Sequence, residues 1–377
     1  MVQRMKDEAE SAAAEHPTSS KSSATHRSEF DFIKIIRQQA LRGDQSPGKQ
    51  SPSSFIPNPS SLLSGIGDDA AVIREVAGRD GVVTTDLLIE SVDFHRETTT
   101  ARLLGHKALA VSLSDVAAMG ARPRWALLSL GIPPDIWDSD FLDEFYVGFF
   151  GLADAYDVRL VGGDVSRTDD KIVIDSIILG DCPHGHAILR RGARPGDHLF
   201  VTGSLGGAAA GLRLLDRGAR VQEKNTADPD SHSVGQLLLR HLSPEPRVGW
   251  GLVLGEEQLA SALIDISDGL SSDINHLCEE SQVGALLDAS SIPINPLLAE
   301  ICGRRALDPL LLALHGGEDF ELLFTVNPQA LAKLPSKVDG VTITRIGTIQ
   351  PASEGVQLAE GTRVWDLEPG GWDHFRN

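Results

Sequence analysis

Residues 101–119, ARLLGHKALAVSLSDVAAM, put an aspartate where an apolar helix turns inward. Leu104, Ala108, Val111 and Asp115 follow at steps of four, three and four, the spacing of one helix face. Burying a lone carboxylate there is very costly unless it is paired or bound to a cation. Any fold that uses this segment must therefore find Asp115 a partner. Asp265, between Ile264 and Ile266 in a strand-like run, makes the same demand.

Five segments place acids at the ends of apolar runs: GIGDDAAV (65–72), TTDLL (84–88), SLSDVAAMG (112–120), LVGGDVS (160–166) and IDISDGL (264–270). Taken singly, each reads as a turn former or a helix cap, and Asp268-Gly269 can simply start a helix. Taken together they need cations, because carboxylates about 4 Å apart repel by roughly 4 kcal/mol at an effective dielectric of 20. Hard oxygen donors without a His/Cys cluster select Mg²⁺ over zinc or copper. Carboxylate-bound Mg²⁺ usually also takes substrate phosphates, so phosphoryl transfer is the leading chemistry. Glycines precede the acids at Gly65, Gly67, Gly162 and Gly163, where the backbone can come close to a metal or phosphate. GSLGGAAAGL (203–212) reads first as a tight turn with small packing residues and second as a phosphate-binding helix start.

Composition narrows the class. The chain has 377 residues, enough for two domains, and a formal net charge of −19, which argues against a nucleic-acid binder. No apolar run approaches the length of a membrane span, and the first twenty residues lack a signal-peptide core. Cys182, Cys278 and Cys302 are too far apart for a disulfide framework or zinc site and read as reduced thiols of a cytoplasmic protein.

The organisation expected is a disordered tail over 1–28, an N-terminal α/β domain over 29–184 and a C-terminal α/β domain over 185–377. Within the first, 29–42 reads as a short amphipathic helix, and 44–61, with six Ser and four Pro, as a flexible loop. Strands are expected at 82–89 and in RLVGGD, KIVIDSIILG, HLFVTG, ALLDAS, ELLFTV and VTITRIGTI; helices at 101–119, 141–157 and 205–217; and a polar loop near 221–233. GDQSPGKQ (43–50) imitates a P-loop, but Gln50 stands where Ser or Thr is required and no strand precedes it. His106 reads as a helix-surface residue, and no nucleophile-elbow motif is present.

In order along the chain, GIGDDAAV, TTDLLIESVDF, KALAVSLSDVAAMGA, LVGGDVSR, RRGARPGD, IDISDGLSSD, HGGEDFELLFTV and GWDHF resemble the thiamine-monophosphate kinase family. That family shares its fold with aminoimidazole ribonucleotide synthetase, selenophosphate synthetase and a hydrogenase-maturation protein. The resemblance implies an α/β (α+β) two-domain fold, with N-terminal strands closing a barrel in a homodimer. It implies ATP-dependent, Mg²⁺-assisted phosphorylation of thiamine monophosphate to thiamine diphosphate, with several Mg²⁺ ions and neither a nucleic-acid nor a membrane partner. By the resemblance, Asp69, Thr85, Asp86, Asp115, Asp164, Asp265 and Asp268 are Mg²⁺ ligands, direct or through phosphate-bound ions. Gly163, Asp164, Arg190 and Ser267 are ATP contacts, and Asp93, Glu318 and Trp372 are substrate contacts. Two positions depart from the family pattern: Asp93 stands where His is frequent and Ser112 where Asn is frequent. The competing readings are a related ATP-dependent synthetase, a non-catalytic nucleotide or cation binder, and an acidic scaffold.

Overall fold

The computed structural model describes residues 62–64, 72–73, 78–221 and 230–372, with Ile35 and Gln38. The expected tail over 1–28, the loop over 44–61, and Asp69 within 65–71 lie outside the described residues. The expected helix over 29–42 is described only at Ile35 and Gln38, both helical.

Strands β1 (Leu62–Ser64) and β2 (Val72–Ile73) pair with each other. A four-stranded sheet then forms from β3 (Arg79–Ile89), β4 (Arg122–Ile132), β5 (Arg159–Arg167) and β6 (Val173–Pro183), in the order β3-β6-β4-β5. On β6, Ile174, Ser176, Ile178 and Cys182 are buried and alternate with half-buried Asp175, Ile177 and Leu179, the period-two pattern of a strand with one covered face. Helices α1 (Ala101–Ala118) and α3 (Phe141–Ala155), with the single turn α2 (Pro134–Trp137) before the latter, belong to this half. The uncovered face carries Val83 and Leu87, which are 67% and 55% exposed.

The larger sheet is built from β7 (His198–Thr202), β8 (Ala262–Asp265), β9 (Val283–Asp288), β10 (Leu322–Val326), β12 (Val341–Pro351), β13 (Val356–Glu360) and β14 (Arg363–Asp366). Its order is β14-β13-β9-β12-β7-β10-β8, with β11 (Lys337–Val338) beside β12. Helices α4 (Gly207–Asp216), α5 (Ser231–Leu242), α6 (Val248–Glu256), α7 (Leu270–Ser281), α8 (Pro296–Arg305) and α9 (Pro309–His315) complete this half.

α1 joins the two halves. Thr100 caps its start by accepting from the Leu103 amide. The sequence suggests one inward face, yet 13 of its 18 residues are buried, because α3, β3, β6, α6 and β8 all pack against it. Trp250 on α6 seals the seam: it is 1% exposed, its Nε1–H donates to the Val341 carbonyl at 3.0 Å, and its ring lies 6.3 Å from Phe324.

Several elements carry no expectation from the sequence, among them β4, α5, α6, α8 and α9. β4 opens on Arg-Pro-Arg and is buried continuously over 123–126, and only over 127–132 does it alternate as β6 does. α5 begins at Ser231, inside the stretch expected as a polar loop, and its Leu237, Leu238 and Leu242 supply a satellite core with α4 and α8. Replacing Trp250 with Ala should cost about 3–5 kcal/mol of unfolding free energy, the range for deleting a large buried aromatic. Urea titration against wild type measures it.

Candidate functional site

The polar residues of α1 are met by partners from both halves. Asp115 accepts from the Thr84 hydroxyl of β3. Ser114 donates to Asp265 Oδ2 of β8 at 2.7 Å, with both residues buried. Ser112 donates to the Ser176 hydroxyl of β6 at 3.0 Å. The two buried-aspartate demands raised by the sequence are thus met at one junction, with Asp115 and Asp265 within electrostatic reach of each other.

Asp86 projects to the same side of β3 as Thr84 and completes the group. Burial raises its pKa to about 6, and the Asp115 charge adds to the rise. Its Oδ2 is shielded from solvent and has no hydrogen-bond partner. Asp265 is lifted to about 7, first by burial, then by Asp115 and Asp86 against the Ser114 hydrogen bond. Asp115 is raised by burial, moderated by Thr84 and by the Arg190 charge. Asp273, in the first turn of α7, is raised well above the ordinary value by burial and by Asp265 and Asp268, although the Gly269 amide donates to it at 3.0 Å. Arg190, exposed at the rim, is a cation whose charge reaches Asp115, Asp265 and Asp273.

Among the described residues, no three His, Cys, Asp or Glu side chains form a ready-made metal cage. The donor set nevertheless suits Mg²⁺, which keeps several waters and takes one or two carboxylates with substrate phosphates. An orphaned carboxylate oxygen among carboxylates that hold their protons toward neutral pH marks a place short of positive charge.

The remaining candidates separate into two groups. Ser267 and Asp268 follow Asp265 in the loop to α7. The Ser267 carbonyl accepts from the Glu318 amide at 2.7 Å and the Asp268 carbonyl from the Trp372 amide at 3.1 Å, so this loop ties the metal candidates to two of the three substrate candidates. Thr85 and Asp164 lie on the other face of the small sheet. Thr85 donates to Asp175 at 2.6 Å, and Asp164 is exposed on edge strand β5, in the cross-strand row of Ser129, Asp175 and Leu87. Within one chain neither joins Asp86, Asp115 and Asp265. Gly163 has φ +155°, and a Cβ there would stand 1.9 Å from the Leu128 carbonyl oxygen, so strand packing alone requires glycine. Asp93 accepts from the Ile89 amide at 2.8 Å, closing the turn after β3.

Glu318 brings in residues to which the sequence reading gave no role. Lys107 Nζ and His241 Nδ1 each lie 2.8 Å from one of its carboxylate oxygens. The approach angles are not those of hydrogen bonds, so these contacts are electrostatic. Burial works to raise the Glu318 pKa, but Lys107 and His241 overcome it and bring it to about 2. Burial and the Lys107 charge depress His241. Lys107 is itself 2% exposed. The signal that would have found it is the one that found Asp115: a charge one residue before Ala108 in an apolar helix. Asp273, beside Ile274 in α7, carries the same signal.

The glycine-rich start of α4 is already occupied. Asp319 accepts from the Gly206 and Ala208 amides, at 2.5 and 3.0 Å, so a carboxylate from the HGGED segment fills the place a phosphate would take.

Comparison with known proteins gives a consistent picture. The family model described as AIR synthase related protein, N-terminal domain, matches residues 67–182, and its C-terminal counterpart matches 194–358. The thiamine-monophosphate kinase of Escherichia coli (strain K12) is 38% identical over 316 residues, 82% of this chain and 91% of that protein. A crystal structure of thiamine-monophosphate kinase from Stenotrophomonas maltophilia K279a superposes with a TM-score of 0.73 at 38% identity, covering 88% of this chain and 96% of that one. A structure described as AaThiL complexed with AMPPCP and TMP superposes with a TM-score of 0.69 at 33% identity, covering 92% and 97%.

Replacing Lys107 with Met should leave half-buried Glu318 with His241 alone beside it and destabilise the protein by about 1–3 kcal/mol. The sign of the pH effect follows from the lowered carboxylate value. Between about 4.5 and about 2 the unfolded chain binds the Glu318 proton first, so wild-type stability falls as pH falls through that window. The wild-type minus Lys107→Met difference in denaturation free energy should shrink across the same interval.

Proposed function

The chain belongs to the AIR synthase related family, on its thiamine-monophosphate kinase branch, and from that premise we propose that it transfers the γ-phosphoryl group of ATP to the phosphate of thiamine monophosphate, giving thiamine diphosphate. The observation that carries this reading is the electrostatic coupling of Asp86, Asp115 and Asp265, with Asp86 Oδ2 buried and without a hydrogen-bond partner. These three, with Asp268 and with Asp69 outside the described residues, would hold Mg²⁺. Bound there, the metal supplies charge neutralisation between two phosphate-bearing reactants.

The chain's own groups supply the rest. Arg190, exposed beside the carboxylates, meets phosphate oxygens and adds positive charge where the reactants converge. Ser267 presents a hydroxyl from the same loop to the nucleotide. No strong general base is called for, because a phosphate monoester is largely ionised at neutral pH, its second pKa being about 6. Transfer is therefore direct, with no phosphoenzyme. Glu318, ionised at every physiological pH, and the aromatic face of Trp372 suit the cationic thiazolium and the pyrimidine of the acceptor. Asp93 is a lesser acceptor contact, since one carboxylate oxygen is spent on its own turn.

The exposed apolar face of the small sheet supports a homodimer in which N-terminal strands close a shared barrel. Thr85 and Asp164 sit on that face, so their metal and nucleotide roles are exercised at the junction between copies. The three free thiols suit a reducing, cytoplasmic setting. The division near residue 184 falls between β6 and β7, where the chain passes from one sheet to the other.

The test is a coupled assay with ATP, Mg²⁺ and thiamine monophosphate, with thiamine as control acceptor. Thiamine diphosphate should form from the monophosphate alone. Asp115→Asn should keep the thermal transition while kcat falls by about 10²-fold or more, the scale of losing one transition-state electrostatic contact. Near-normal turnover in that variant, or a trapped phospho-aspartate, would remove the mechanism. Sedimentation should give a dimer for wild type and a monomer for the Val83→Glu, Leu87→Glu double variant.

A further inference from the structure

The last described residues form a strap across the start of α7. Leu367 anchors it: its amide donates to the Val356 carbonyl at 2.8 Å, and its carbonyl accepts from the Asn275 side chain at 3.2 Å. The next docking points are three consecutive amides. Gly370 N–H donates to Ser271 Oγ, Gly371 N–H to Ser272 Oγ, and Trp372 N–H to the Asp268 carbonyl, each at 3.1 Å. Ser271 is fully buried, and its hydroxyl also lies 2.8 Å from His315 Nδ1.

Both glycines are there for closeness. A Cβ on Gly370 would stand 2.4 Å from His315 Nδ1, and one on Gly371 would stand 2.3 Å from the Asp268 carbonyl oxygen. The indole that follows is 56% exposed. Three consecutive amide contacts thus hold the backbone beneath a side chain that is more than half exposed. A tethered backbone beneath an exposed ring fixes the ring for a ligand, because the entropy of ordering it has been lost before binding.

We propose that Ser271, Ser272, Gly370 and Gly371 are positioning residues that clamp the strap to the metal-side loop and hold Trp372 where the acceptor's ring system lands. This rests on the thiamine monophosphate reading. The clamp makes acceptor recognition depend on the Asp265–Asp268 loop, so the phosphate end and the ring end of one acceptor are gauged from a single piece of backbone.

The experiment uses the full chain as wild type, Gly371→Ala, Trp372→Ala and the double variant. Amide hydrogen exchange reads the clamp directly: the 370–372 amides should be protected in wild type and lose that protection in Gly371→Ala. Gly371→Ala should raise KM for thiamine monophosphate about tenfold and leave KM for ATP and kcat within twofold. The double variant should be no worse than Trp372→Ala, because the two changes remove one interaction. Ser272→Ala, which leaves the backbone free of clashes, should give a smaller rise of the same kind. Loss of protection with an unchanged KM, or additive effects that also raise KM for ATP, would overturn the proposal. Absence of turnover by wild type would instead remove the substrate reading, with the exchange result still showing whether the clamp exists.

Discussion

Everything at this site depends on where the polar side chains of α1 can go. A helix buried on nearly every side cannot send Lys107, Ser112, Ser114 and Asp115 to water, so each must find its partner in the protein. Lys107 meets Glu318, Ser114 meets Asp265, and Asp115 meets Thr84. Two of those three contacts reach across to the larger sheet's half of the chain. The helix that seals the apolar seam therefore also fixes the registry of the two halves, and the residues that need partners define the cleft.

The cluster carries a built-in electrostatic deficit. Asp86, Asp115, Asp265 and Asp273 are all shifted upward by burial, neighbouring carboxylates add to the rise at Asp86, Asp265 and Asp273, and Arg190 moderates it at Asp115, Asp265 and Asp273. Such a group is poorly served as free carboxylates and well served when divalent cations and phosphates enter together. The Lys107–Glu318–His241 group is the opposite case. Its charges balance internally, which keeps a carboxylate ionised a short way from a region where carboxylates hold their protons. The two environments sit along one helix, eight residues or roughly 12 Å apart.

The loop 265–269 links these environments to each other. Its carbonyls accept from the Glu318 and Trp372 amides, and its Asp265 and Asp268 side chains belong to the anionic cluster. Asp319 and Glu321 continue the same logic next door. Asp319 caps α4, while Glu321, fully buried, is held by Arg247 and Arg240. HGGEDFELLF is thus a run of acids whose members have separate duties: one at the cleft and two in the frame behind it.

The sequence by itself determined the existence of elements such as β6 and α1, from a β-branched run and from a long apolar stretch with helical spacing, and the demand that Asp115 and Asp265 be satisfied. It did so because strand propensity, helical spacing and the cost of a buried charge are local facts. It also carried enough ordered motifs to identify the family. It gave Lys107 no role, although the same buried-charge argument applies to it, and it hid β4, which opens on Arg-Pro-Arg and runs on through four consecutive apolar residues over 125–128. Only the tertiary structure decided which charges meet. It turned Asp86 toward the cluster and Thr85 away from it, because neighbouring residues of a strand face opposite sides and the helix covers only one. It also gave the α4 start to Asp319 and brought Gly370–Trp372 to the loop after Asp265, about a hundred residues earlier in the chain. Those pairings come from packing across long sequence separations, and no local pattern encodes them.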